Sequence, residues 1–160
     1  MARATPVPLP LLKGAIGKKC SNAVMLAVFC KEKLRMSSDY DKGLATRKQV
    51  MGEEFVAAAL AGVTDFTQPI QDHITAKAWG DVWQRPGLDL KTRSLITVAM
   101  LTAMGKQREL KGHLRGALNN GATPAELQEV LLHAAIYCGV PTAVEAFRTA
   151  AEVVEGPQKA

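Results

Sequence analysis

A histidine and a glutamate four residues apart form the pair in this chain best suited to moving a proton. Glu109 and His113 fall in one amphipathic stretch, and their spacing places both on one face of a helix. A carboxylate near an imidazole orients the ring and raises its pKa, giving a usable general acid or base. The same spacing occurs in surface Glu–His pairs, which contribute only about 0.2–0.5 kcal/mol. Arg85, Arg93 and Arg115 could clamp carboxylates, because a planar guanidinium grips them bidentately, although helical arginines are commonly solvated. Tyr137-Cys138-Gly139-Val140-Pro141 puts a phenol and a thiol at a helix end beside a glycine turn. Cys138 reads as a small buried residue before it reads as a nucleophile. Trp79 and Trp83, four apart, suit a core or the wall of a ligand pocket. His73 has no evident partner, and His133 lies in an apolar run, so both read as structural, His133 also as interfacial.

The cysteines narrow the chemistry further. There are three, Cys20, Cys30 and Cys138, with no C-x-x-C among them. That argues against a disulfide framework, a zinc site and a dithiol redox centre, and suits a reduced cytoplasmic setting. Gly-rich phosphate loops, paired-histidine metal motifs and Gly-x-Ser-x-Gly elbows are also missing from the sequence.

Helices must position these residues. With 160 residues the chain suffices for one domain with one core, and its 48% apolar and 22% charged composition is that of a globular protein. Only 5% of residues are aromatic, while Ala, Leu and Val abound, which favours close-packed helices. Caps and periodicity predict five to six helices in a compact all-α bundle. A first helix covers about 39–60, with Val50, Phe55, Val56 and Leu60 as apolar contacts, and Gly62 ends it. Thr67 caps a second, with Pro69 in its first turn, running to Gln84 with Ile70, Ile74, Ala78, Trp79 and Val82 as its apolar face. After the Arg85-Pro86-Gly87 turn, Asp89 caps a third over 90–104, apolar on most sides from Leu95 and therefore buried in the core or in a subunit interface. Gly105 separates it from a fourth over 106–119, which Asn120-Gly121 ends. Thr123-Pro124-Ala125-Glu126 is a capping box opening a fifth to Cys138, and Pro141 starts a last helix to about Val154. No stretch alternates long enough to predict a strand.

Charge divides the chain unevenly. Of the net +5, residues 1–35 carry seven basic side chains against Glu32, a net of +6, leaving −1 for residues 36–160. The folded part thus lacks the basic footprint of a nucleic-acid binder. Residues 1–35 read as a basic extension outside the fold, and residues 36–157 as the domain. The apolar run 23–30 has eight residues, far short of the ~20 needed to cross a membrane. A signal peptide is conceivable in outline, but no small-x-small cleavage site follows the run. An amphipathic targeting segment is a second reading. The favoured reading starts the natural protein at Met36, where Met36-Ser37-Ser38-Asp39 makes a helical lead-in and the charge changes character.

Four blocks of sequence carry a resemblance. They are Ala78-Trp79-Gly80-Asp81-Val82-Trp83-Gln84-Arg85-Pro86-Gly87-Leu88-Asp89, Thr92-Arg93-Ser94-Leu95-Ile96-Thr97, His113-Leu114-Arg115-Gly116-Ala117-Leu118-Asn119-Asn120-Gly121 and Tyr137-Cys138-Gly139-Val140-Pro141. In this order and ungapped, they resemble the carboxymuconolactone decarboxylase family, in particular the subgroup acting on 4-carboxymuconolactone. With weaker similarity back to Tyr40, the resemblance covers about 115 residues. It implies an alkyl hydroperoxidase D-like helical fold. Redox members of that wider family carry Gly-Cys-x-x-Cys-x-x-x-His, where this chain has Gly105, Lys106, Glu109 and His113. Both cysteines are replaced and the histidine is kept, while Ser94 stands where those members use a glutamate. Val144 stands where the decarboxylase subgroup often has Asn.

The resemblance implies cofactor-free loss of CO2 from 4-carboxymuconolactone, giving 4-oxoadipate enol-lactone in protocatechuate breakdown by the β-ketoadipate pathway. His113 would donate the proton and Glu109 would orient it. Arg93, Arg115 or Arg85 would hold carboxylates of this dicarboxylate lactone, and Trp79, Trp83, Tyr137 and Cys138 would line the pocket. No metal is implied. A homo-oligomer, often a hexamer, is. Two competing readings are a peroxidase or thiol reductase of the same fold using Cys138, and a non-catalytic oligomeric scaffold.

Overall fold

The computed structural model describes residues 22–156. Cys20 and most of the basic N-terminal segment lie outside them. Seven α-helices, α1 (Asn22–Met51), α2 (Glu53–Ala61), α3 (Gln68–His73), α4 (Leu90–Ala103), α5 (Gln107–Asn119), α6 (Pro124–Cys138) and α7 (Val140–Val154), make up most of the described chain. A π-helical segment, Ile74–Trp79, and a 3₁₀ turn, Val82–Gln84, lie between α3 and α4. No strand occurs among the described residues, and the fold is all-α as expected. None of the described helices is long and apolar enough to cross a membrane.

Residues from Leu34 onward form one compact unit. Its main core lies within a bundle of α4 to α7, where Val98, Leu110, Leu114, Leu127, Leu131 and Ala146 are almost wholly buried. Each buried leucine contributes roughly 1.5–3 kcal/mol by leaving water. A second cluster, Val50, Met51, Val56 and Trp79, joins the end of α1 and the start of α2 to the π segment. The helix ends match the local sequence closely. Asp89 accepts from the Thr92 amide at 2.7 Å, and Thr123 with Glu126 forms the reciprocal capping box. Gly121 and Gly139 take positive φ of 85° and 98° just beyond the last turns of α5 and α6.

The first two predicted helices are corrected. The stretch 39–60 is not one helix: α1 enters from Asn22 and stops at Met51, and α2 starts anew at Glu53. Gly52 makes the break with φ of 93°, a conformation other residues rarely adopt. The entry from Asn22 reflects an uninterrupted run without Gly or Pro up to Gly43, so Met36 opens no helix. The stretch 67–84 divides into α3, the π segment and the 3₁₀ turn. Thr67 precedes α3 without capping it, since its hydroxyl accepts from the Thr64 amide at 2.9 Å. Ile70 and Val82, expected to be buried, are exposed. The third predicted helix is buried only along Ser94, Val98 and Thr102, while Ile96, Met100 and Met104 face outward.

Two glycines explain how α1 meets the π segment. A Cβ at Gly43 would lie 1.9 Å from the Thr75 carbonyl oxygen, and one at Gly80 would lie 1.9 Å from that of Asp39. Backbone therefore rests on backbone here, closer than any side chain would permit. This approach accompanies the widened turn, closed by the Gly80 amide donating to the Thr75 carbonyl at 3.0 Å. A similar device seats the end of α1 and the start of α2 on α5. Cβ atoms at Gly112 and Gly116 would come within 3.0 Å of Phe55 and 3.1 Å of the Met51 sulfur. Asn119 then donates to the Val50 carbonyl at 3.2 Å, satisfying an acceptor at the interrupted end of α1.

Candidate active site

His113 projects from the middle of α5, between Gly112 and Leu114. This helix contains no β-branched residue, and Leu110, Leu114 and Ala117 form its buried stripe. The imidazole lies parallel to the Trp79 ring, with centroids 6.1 Å apart and planes 2° from coplanar orientation. Trp79 in turn meets Trp83 at 4.6 Å and 31°. The His113 Nδ1 is buried and has no hydrogen-bond partner. The π segment thus delivers one wall of the site from Trp79, itself 5% exposed.

The sequence reading missed Arg47. Its side chain is held on α1 one turn beyond Gly43, and the residue is only 8% exposed. Its Nη1 donates to Gln71 Oε1 at 3.0 Å and to Thr75 Oγ1 at 3.4 Å, tying α1 to α3 and the π segment. Among the described residues no ion pair joins it to a carboxylate. Its signal in the sequence was slight: an arginine four residues after a glycine, in a helix with little amphipathic contrast. The close approach at Gly43 brings this part of α1 against Thr75, to which Arg47 donates.

The electrostatics of His113 follow from these neighbours. Burial pushes its pKa below the usual histidine value, the positive charge of Arg47 lowers it further, and Glu109 acts in the opposite direction. Burial also lowers the Arg47 pKa, opposed by Tyr40. Glu109 is corrected in one respect. It shares the face of His113 but stays exposed in the first turn of α5, and the two form no hydrogen bond in this structure. Its influence is through space, because the buried Nδ1 is out of its reach.

The other sequence-selected residues are dispersed. Arg93 is half-buried, its Nη2 donating to the Arg85 carbonyl at 2.7 Å while its Nε is buried without a partner. It therefore fastens the turn after Trp83 to α4. Arg85 and Arg115 are exposed. Ser94 accepts from Asn120 Nδ2 at 2.9 Å and donates to the Leu90 carbonyl at 2.8 Å, which joins α4 to the end of α5. Cys138, expected to be buried, is exposed at the last position of α6, where no succeeding helical turn covers it.

Tyr137 and Cys138 do not join His113. They line an open apolar groove of about 760 Å³ between α4 and α6, together with Ile96, His133 and Ile136. His133 and Tyr137 pack there with centroids 4.7 Å apart. The groove is large, but its lining contains no arginine or lysine and neither His113 nor Arg47. The cationic Arg47 and the half-buried His113 lie instead in the smaller cluster on α1, the π segment and α5. No group of three His, Cys, Asp or Glu suited to a metal occurs among the described residues.

Comparison with known proteins agrees with the resemblance drawn from the sequence. Residues 68–152 match the profile of the Carboxymuconolactone decarboxylase family. The chain is 51% identical over 107 residues to a nitrosuccinic acid decarboxylase of Metarhizium robertsii, covering 67% of this chain and 75% of that protein. It is 46% identical over 114 residues to a 4-carboxymuconolactone decarboxylase of Acinetobacter baylyi, covering 71% and 85% respectively. The matched segment contains the π turn, Trp79 and His113, and with identities this high over this much of each relative, the chain belongs to the carboxymuconolactone decarboxylase family.

Proposed function

We propose that this protein is a carboxy-lyase, decarboxylating a small dicarboxylate whose departing carboxyl group sits next to an electron sink, with His113 returning the proton to carbon. The observation that carries this reading is the half-buried imidazole with a buried, unpartnered Nδ1, stacked against Trp79 and within the field of Arg47. In the first reading the substrate is 4-carboxymuconolactone and the product 4-oxoadipate enol-lactone, within protocatechuate catabolism. The C–C bond to the carboxylate breaks, CO2 leaves, and the electron pair passes through the adjacent double bond to the lactone carbonyl oxygen. Protonation of the resulting dienolate at carbon completes the reaction. Because the substrate itself accepts the electrons, the step calls for no cofactor. The protein supplies cations for carboxylates, a proton donor and an apolar place for the group that departs. Glu109 biases His113 toward its protonated form through space. Arg93, whose Nε lacks a partner, is more withdrawn from water than Arg85 or Arg115.

The 51% identity to a nitrosuccinic acid decarboxylase supports a second substrate in the same chemical class. In nitrosuccinate the nitro group is the sink. Loss of the carboxyl on the same carbon gives a nitronate, and protonation at carbon gives 3-nitropropanoate. Both substrates leave one carboxylate behind and need one proton at carbon. A peroxidase or thiol reductase is less well supported, since Cys138 stands exposed and apart from His113. The deciding measurement is CO2 release and product formation from each compound with the full chain. Turnover of 4-carboxymuconolactone at the higher kcat/KM supports the first reading, and the reverse supports the second. Turnover of neither defeats both.

We also propose a homo-oligomer, a hexamer by resemblance, with the apolar face of α4 and α6 as its seam. Ile96, Met100, Leu132 and Ile136 are exposed there, more apolar surface than a lone helix pair leaves to water without cause. The enzyme is proposed to act in the cytoplasm.

A further inference from the structure

We infer that Arg47 is the receptor for the carboxylate the substrate keeps, and that it works with His113 as one unit. The inference rests on the decarboxylation proposed above and deepens it. An arginine presents five donors in a planar fork, and one buried to this degree is ordinarily matched with a carboxylate. Arg47 instead meets two neutral acceptors, Gln71 and Thr75, both through Nη1. Among the described residues its charge has no anionic partner. Nearby, His113 Nδ1 is likewise buried and unpartnered. A cation without an anionic partner thus lies within electrostatic reach of an imidazole with an unpartnered buried nitrogen, an arrangement that suits an anion.

The flow of charge decides which carboxylate binds there. The departing group becomes neutral CO2, so a guanidinium gripping it would stabilise the ground state more than the transition state and slow the reaction. The carboxylate that stays keeps its charge throughout, and a cation can hold it at no such penalty. Its arrival also changes His113. Of the protein's own charges, Arg47 opposes protonation of the imidazole, and only Glu109, from α5 itself, favours it. Tyr40 on α1 acts on Arg47, and the π segment contributes the uncharged Thr75 and Trp79. A carboxylate seated on Arg47 offsets the opposing charge. His113 then takes up the proton that the reaction will need.

The test tracks the His113 ring by NMR through a pH titration of the full chain, with and without succinate as a dicarboxylate probe. Succinate should bind and raise the His113 pKa. In Arg47→Met, succinate should bind roughly 10- to 100-fold more weakly. His113 should then titrate at higher pH from the outset and respond little to succinate. Arg47→Lys keeps the charge but not the fork, so it should hold the His113 pKa low while weakening succinate by a smaller factor. The wild-type titration needs no variant to fold, and failure of succinate to bind or to move His113 overturns the inference. Unchanged succinate affinity in folded Arg47→Met also overturns it. Succinate binding and the His113 shift, found without turnover of either proposed substrate, would defeat the decarboxylase reading while leaving Arg47 as a carboxylate receptor. Normal turnover in Arg47→Met would do the opposite.

Discussion

The His113 imidazole and the Trp79 indole lie parallel, 2° apart in plane and 6.1 Å between centroids. The separation falls in the range of offset aromatic pairs, which contribute about 0.5–1.5 kcal/mol beyond the area they bury. One ring comes from the end of the π segment and the other from the middle of α5. The pairing therefore fixes the plane in which His113 can exchange a proton, without using either ring nitrogen to do so.

Replacing His113 with glutamine should lower kcat by ~10²–10⁴-fold on the accepted substrate, as expected for loss of a general acid. The residue is half-buried and its Nδ1 makes no hydrogen bond, so far-UV circular dichroism should remain that of the parent. Near-full turnover by a folded His113→Gln protein would remove the histidine from the chemistry.

The proposed acid role of His113 predicts a pH dependence. In the free enzyme its pKa is lowered by burial and by Arg47. The acid form needed for protonation is thus lost at a pH below the ordinary histidine value of about 6.5. kcat/KM, which reports the free enzyme, should fall on the alkaline side from below that value. kcat reports the complex, where a bound carboxylate offsets Arg47, so its alkaline limb should lie at higher pH. For stability the sign is opposite. Below about pH 6.5 the unfolded chain takes up a proton that the folded site resists, so this contribution is complete above that pH and declines as pH falls toward the folded value. Coincident limbs for kcat and kcat/KM would contradict the electrostatic link.

Alanine at Gly43 or Gly80 should destabilise the fold by about 3 kcal/mol or more, since each new methyl would meet a backbone oxygen at 1.9 Å that cannot swing away. Gly87, whose added Cβ would meet nothing within 4 Å, provides the control and should tolerate alanine within ~0.5 kcal/mol. Urea denaturation measures the differences. Equal midpoints for Gly43→Ala and Gly87→Ala would show that the backbone contact is not what holds α1 in place.

Glutamate at Met100 or Ile136, which are 59% and 78% exposed, should dissociate the proposed oligomer in analytical ultracentrifugation while the isolated fold keeps its helicity. An unchanged sedimentation coefficient in both variants would place the seam elsewhere.

A chain begun at Met36 should retain turnover, because Tyr40, Arg47 and every later residue of the site are kept. A loss of activity beyond tenfold, in a protein that still folds, would assign the preceding residues a part in the site.

Much of the fold could be read directly. Asp89, the Thr123–Glu126 box, Gly121 and Gly139 each punctuate a helix by local chemistry, and local chemistry is what a sequence displays. His113 was found because its residue type is chemically conspicuous and its position matched a family pattern. Gly52 was passed over since an isolated glycine inside a helical pattern is often tolerated, and nothing local reveals the positive φ that ends α1. Arg47 was missed for a related reason. Its burial depends on contacts 24 and 28 residues away, and an arginine on a helix ordinarily faces water. Tyr137 and Cys138 were grouped with His113 by the family resemblance, whereas the packing of α6 on α4 carries them into a separate groove.

The glycine contacts between α1 and the π segment bear on how such a site should be recognised in other chains. Arg47, Trp79 and His113 attract notice, yet arginine, tryptophan and histidine at matching positions would not suffice to rebuild the arrangement. With any larger residue at 43 or 80, the two backbones must separate by ångströms, and an arginine at 47 would then have no inward path. A search for functional equivalents would do better to ask first for the two positions without side chains and only afterwards for the reactive ones. The most diagnostic letters of this site are those that contribute no atoms to it.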